Sequence, residues 1–197
     1  MDNPDLKRLF VAVPFVPDGG FADKMPMLRG CTCRTDRVNW VEPELLHITL
    51  KFLGETSVQR IPLLCKTLGS VAASASAFSF TLNKLGVFGS HYQPRVVWLG
   101  PESTPSGMLF LQQSIERALG MAGFPRTFGR FVCHLTLARI NHVDDKRFFW
   151  QRIDSCRNLF SVHAEVREMV LFESVLNKGY QPQYFPLEHF VLRTDQR

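Results

Sequence analysis

The chain has 197 residues, 45% hydrophobic and 21% charged, an ordinary globular composition and a length that can bury a substantial core. Its formal charge of +5 suits an anionic partner, RNA or a phosphorylated small molecule, although a modest positive balance also serves solubility alone. The longest apolar run near the start, Leu9 to Val16, argues against a membrane span or a signal peptide: Pro14 interrupts it and it is too short to cross a bilayer.

Taken in order, Leu9–Val13 reads as a buried strand ended by Pro14 and Pro17. A short helix is expected within 18–30, stopped by Gly30, then an extended piece at Val38–Val41. Pro43-Glu44 turns into a strand from Leu46 to Phe52, closed by Gly54. Apolar residues at Val58, Ile61, Leu64, Cys65, Leu68 and Val71 mark one helix face, with Pro62 requiring a late start or a kink. Phe78–Leu82 alternates as a strand, 86–94 reads as a loop around Gly86, Gly89 and Pro94, and Arg95–Leu99 is again a strand. Thr104-Pro105 starts a helix that runs to about Met121 and ends at Gly123. Arg126–Arg130 is a basic loop feeding a strand at 132–138; 144–157 fits helix or loop, and strands follow at Val162–Phe172 and Leu187–Leu192. Seventeen Phe against three Tyr point to well-packed sheet interiors. No linker, charge block or low-complexity tract marks a second module.

Five cysteines make an odd set, and Cys31-Thr32-Cys33 is too closely spaced for a structural zinc half-site. Free thiols in a reducing cytoplasm are the simpler account.

The chemistry concentrates in two stretches, Leu46-His47-Ile48-Thr49-Leu50 and Cys133-His134-Leu135-Thr136-Leu137. Residues two apart on a strand share a face, so each stretch aims one imidazole and one hydroxyl together and turns its aliphatic residues into a core. Two such strands, each preceding or following a helix, point to a duplicated unit and two lobes sharing a cleft. Facing histidines can divide acid–base work: a neutral ring takes a proton from water while a protonated one supplies the leaving oxygen. Thr49 and Thr136 are placed to donate hydrogen bonds to phosphate oxygens. Arg139 has the geometry for phosphate, but strict alternation puts it opposite His134, and a strand twist or a turn after Ala138 is needed to bring it round. Each motif alone reads as a structural histidine; a metal site wants an acid near a histidine in sequence or space, and Thr in the H-x-T position is a poor ligand. The pairing favours the functional reading.

These residues resemble the two-histidine (2H) phosphoesterases, specifically the bacterial RNA 2′,3′-cyclic phosphodiesterases, also called 2′-5′ RNA ligases. The resemblance covers nearly the whole chain. It includes Arg8-Leu9-Phe10-Val11-Ala12, Trp40-Val41 before Pro43-Glu44, Leu46 to Gly54, Pro94 to Gly100, His134 to Arg139, and Leu171-Phe172-Glu173-Ser174. The chain departs from the family at Cys133, where proline is usual, and in the spacing from Gly179 to Tyr184, which bears on any substrate role of Tyr184. A buried, inert Cys133 is expected.

The resemblance implies an α+β, bilobal, pseudo-two-fold fold over 1–197, one domain of two intertwined lobes, each an antiparallel sheet flanked by helices, with the histidines in the cleft between. It implies opening of RNA 2′,3′-cyclic phosphate ends to 2′-phosphates without metal or cofactor, with RNA such as tRNA halves as partner and a monomeric protein. His134 is then the proton acceptor, His47 the proton donor, and Thr49, Thr136 and Arg139 the substrate-binding residues; the reverse reaction would join RNA ends through a 2′-5′ linkage. Two other readings stand beside it: a 2H esterase acting on a small cyclic nucleotide or an ADP-ribose cyclic phosphate, and an RNA-end-binding module without catalysis. Basic residues Lys51, Arg126 and Arg130 near the motifs favour a polyanion.

Overall fold

The computed structural model describes residues 5–176 and 182–194; part of the Gly179–Tyr184 segment therefore lies outside the described residues. Ten strands are present: β1 (Leu6–Pro14), β2 (Arg37–Trp40), β3 (His47–Ser57), β4 (Phe78–Leu82), β5 (Lys84–Gly89), β6 (Pro94–Gly100), β7 (Leu135–His142), β8 (Val162–Val166), β9 (Glu168–Val175) and β10 (Gln183–Val191). The helices are α1 (Gly19–Ala22), α2 (Met25–Arg29), α3 (Ile61–Ser74), α4 (Ser106–Met121) and α5 (Lys146–Ser155).

Every strand ladder among the described residues is antiparallel. One half of the main sheet runs β10-β9-β1-β3 and the other β7-β6-β5, with β2 added along the far end of β7. The halves meet at the inner strands β3 and β7, joined through the single pair Ile48–Leu135. The chain crosses between halves repeatedly, since β1 and β3 lie in one, β5 to β7 in the other, and β9 and β10 back in the first. β4 and β8 form a separate two-stranded ribbon.

Helices α3 and α4 pack on each other, with α3 over β9 and β10 and α4 over β3. Their buried faces, Leu64, Leu68 and Val71 of α3 and Leu111, Ile115 and Leu119 of α4, follow the spacing of one helical stripe. Pro62 sits in the first turn of α3, where its missing N–H is harmless, and a 3-10 turn at Val58–Arg60 carries the preceding residues. Asp145 accepts from the Phe148 N–H and starts α5, which settles 144–157 as largely helical.

Three expectations are corrected. The loop anticipated at 86–94 is mostly strand: β5 pairs with β6, and Gly86 stands opposite Trp98 because the indole lies where a side chain would be, 2.2 Å from a Cβ built there. The single strand expected at Val162–Phe172 is two, β8 in the ribbon and β9 in the main sheet. The second motif strand starts at Leu135, so His134 is the last loop residue before it.

Candidate active site

Both inner strands break their alternation at the same place. Along β3 the register passes from Ala12–Thr49 to Val11–Lys51, leaving Leu50 as an extra residue. Along β7 it passes from Trp98–Thr136 to Val97–Ala138, leaving Leu137 extra. A one-residue bulge reverses which face the following side chains use. Leu50 and Lys51 are both buried, as are Leu137 and Ala138, and the next residues, Phe52 and Arg139, emerge on the face of the motif histidine and threonine. The opposed pairs agree: Phe52 stands against Phe10 and Arg139 against Val96, on the same side as Thr49–Ala12 and Thr136–Trp98. Arg139 thus reaches the site through a bulge before it, rather than a turn after Ala138.

The two histidines are held alike. The Nδ1–H of His47 donates to the Leu45 carbonyl at 2.7 Å, and that of His134 to the Val132 carbonyl at 2.8 Å. A neutral ring so fixed leaves Nε2 as the free base. Each is also walled by aromatic rings. His47 meets Phe10 and Tyr184 at centroid distances of 5.1 Å each, Tyr184 edge-on. His134 meets Phe88 edge-on at 4.9 Å and Trp98 at 6.5 Å. Several of the phenylalanines expected to fill sheet interiors therefore line the site face instead, Phe10, Phe52, Phe88 and Phe172 among them.

Burial pushes the His47 pKa down to about 4, with the Arg139 guanidinium and His134 adding to the effect against the opposing pull of the Leu45 carbonyl. His134 is lowered too, by burial and then by Arg139. The same charges place the two rings and Arg139 within electrostatic reach of one another. Both imidazoles are neutral at pH 7 in the free protein.

His47 and Arg139 share a cleft of about 280 Å³ lined also by Arg8, Phe10, Phe52, Ser174 and Tyr184. Thr49 and Thr136, half-buried, lie on the faces of their histidines. Sequence reasoning missed Phe52; its signal was its place, five residues after His47 as Arg139 follows His134. Cys133 is buried at 2% exposure, and burial pushes its thiol up to about 12. Among the described residues no three His, Cys, Asp or Glu side chains cluster as metal ligands.

Lys51 is not available to a polyanion. Its ammonium is buried and donates to Glu116 Oε2 at 2.8 Å, the Pro125 carbonyl at 2.8 Å and Thr127 Oγ1 at 3.2 Å. Burial raises the Glu116 carboxyl, but hydrogen bonds from Lys51 and Thr127 outweigh it and hold the group below its usual range.

A family model described as LigT like phosphoesterase matches residues 29–98. The RNA 2′,3′-cyclic phosphodiesterase of Thermotoga maritima is 31% identical over 137 residues, covering 70% of this chain and 71% of that protein. The protein of the same name from Methanothermobacter thermautotrophicus is 30% identical over 186 residues, 94% of this chain and 98% of its own. A crystal structure of E. coli LigT complexed with 3′-AMP superposes with a TM-score of 0.71 at 25% identity, over 95% of this chain and 98% of that one. No described helix is long and apolar enough to cross a membrane.

Proposed function

Because the chain belongs to the LigT-like phosphoesterase family, we propose that it is an RNA 2′,3′-cyclic phosphodiesterase that opens the ring to a 2′-phosphate by metal-free acid–base catalysis. The observation that carries this reading is the matched pair of clamped histidines, His47 at the start of β3 and His134 just before β7, each held through its Nδ1–H with Nε2 left over. In-line displacement at phosphorus needs a base on one side and an acid on the other, and facing strands deliver one ring to each. His134 Nε2 takes the proton of the attacking water. His47 supplies a proton to the 3′ oxygen as it leaves, and Thr49, Thr136 and Arg139 hold the non-bridging oxygens.

The depressed pKa of His47 adds a requirement: the acid form must be gained with the substrate. The anionic phosphate, once bound, offsets Arg139 and favours the imidazolium. No covalent intermediate is needed, and the reverse reaction, with a 5′-hydroxyl in place of water, would form a 2′-5′ linkage. Residues 1–197 act as one domain and as a monomer on this reading. A cytoplasmic location, proposed with this reading, would keep Cys31 and Cys156 reduced, their sulfurs 3.6 Å apart and hydrogen-bonded.

A second reading, a small cyclic nucleotide as substrate, is favoured by the cleft itself, whose volume is near the lower end for small-ligand pockets. A short RNA ending in a 2′,3′-cyclic phosphate, incubated in EDTA, separates them. A 2′-phosphate product supports the reading. A 3′-phosphate reverses which oxygen leaves, and turnover of cyclic mononucleotides alone favours the second reading.

A further inference from the structure

The basic loop between α4 and β7 is fixed at both ends and projects at its tip. Its foot is held from below: the Thr127 N–H donates to Glu116 Oε2 at 3.1 Å, and Lys51 binds the Pro125 carbonyl and Thr127 hydroxyl. Arg126 lies along the end of α4, its Nε 3.1 Å from a Cβ built on Gly120. At the other end Cys133 is buried beside His134. Between them Phe128 is 96% exposed and Arg130 is exposed with no ion pair among the described residues. Gly129 joins the two at φ +102°, a conformation that L side chains rarely adopt and glycine permits.

An exposed aromatic ring next to an unpaired guanidinium is poor for stability and well suited to single-stranded nucleic acid, which offers a base face and a phosphate per residue. Position selects the occupant. Arg130 is four residues from His134, about 14 Å of extended chain at most. We propose that the Phe128–Gly129–Arg130 tip docks the RNA strand upstream of the cyclic phosphate, Phe128 stacking on a base and Arg130 pairing with a phosphate. This rests on the reading of the site given above and adds to it a preference for oligonucleotides.

The test compares kcat/KM for 2′,3′-cyclic AMP with that for a ten-nucleotide RNA ending in the cyclic phosphate, in wild type, Phe128→Ala and Arg130→Gln. The oligomer-to-mononucleotide ratio is expected to fall about tenfold in each variant, the scale of one lost stacking or phosphate contact. Arg130→Gln should also lower the slope of log kcat/KM for the oligomer against log salt by about 0.7, with Phe128→Ala leaving it unchanged. An unchanged ratio in both variants, or an equal loss on both substrates, overturns the docking proposal while wild-type turnover of RNA leaves the reaction standing. Wild type that opens neither substrate would overturn the reaction itself.

Discussion

The inner strands β3 and β7 use one backbone device to different ends. In each, histidine, threonine, a bulged leucine and a buried residue are followed by a side chain returned to the site face. In β3 the buried residue is Lys51 and the returned one Phe52; in β7 they are Ala138 and Arg139. The symmetry of the fold supplies two equivalent imidazoles, and the two substitutions at the ends of the motifs make the site polar. The β7 side carries a guanidinium on the site face, and the β3 side an exposed ring. Lys51, buried where β7 has alanine, is spent on tying the first half to the loop that leads to His134.

The largest effects should come from breaking what the halves share. His47→Ala and His134→Ala should each lower turnover about 10²- to 10⁴-fold with the fold intact by circular dichroism. Near-normal turnover in either would remove that residue from the proposed pair.

Lys51→Met probes what only β3 has. Leaving the part-buried Glu116 without its cation should cost about 1–3 kcal/mol in urea unfolding, and pairing the change with Glu116→Leu should restore much of it. A single variant as stable as wild type would contradict the buried ion pair.

The returned residues should separate in kinetics. Arg139→Ala should lower kcat about 10²- to 10³-fold, as for a lost transition-state donor. Phe52→Ala should instead raise KM about tenfold and spare kcat, as a lost stacking surface would. Equal behaviour of the two would erase the polarity drawn above.

A last effect is in stability against pH. His47 has an ordinary pKa near 6.5 when unfolded and about 4 when folded, so the unfolded chain binds the proton first. Its contribution is complete above pH 6.5 and lost as pH falls toward 4, about 3 kcal/mol in all. Unfolding midpoints at pH 7 and pH 4.5 should therefore differ less in His47→Gln than in wild type.

Much of the candidate site was legible because strand alternation is a local rule: His47 with Thr49 follows from spacing alone, and Thr136 lies on β7 with His134 one residue before that strand. Arg139 was legible as a candidate phosphate ligand by type, but its place on the site face was not. A bulge is defined by two residues facing one on a partner strand, and neither Val97 nor Trp98 advertises that pairing. Lys51 misled for a related reason, since the same shift at Leu50 sends it inward to Glu116, 65 residues away in sequence. β5 was hidden by Gly86, which reads as a loop residue until the Trp98 indole is seen to occupy its side-chain space. The break between β8 and β9 joins two strands of different sheets with no turn residue at Arg167 to mark it.

The division of labour between the histidines can be tested at the leaving atom. A cyclic substrate whose 3′ bridging oxygen is replaced by sulfur expels a thiolate, with a thiol pKa near 8.5, and needs little help from an acid. Turnover of this substrate should recover in His47→Ala to within about tenfold of wild type, while His134→Ala stays about 10²- to 10⁴-fold down. Recovery in His134→Ala instead, or the same response in both variants, would contradict the assignment of His47 as the acid and His134 as the base.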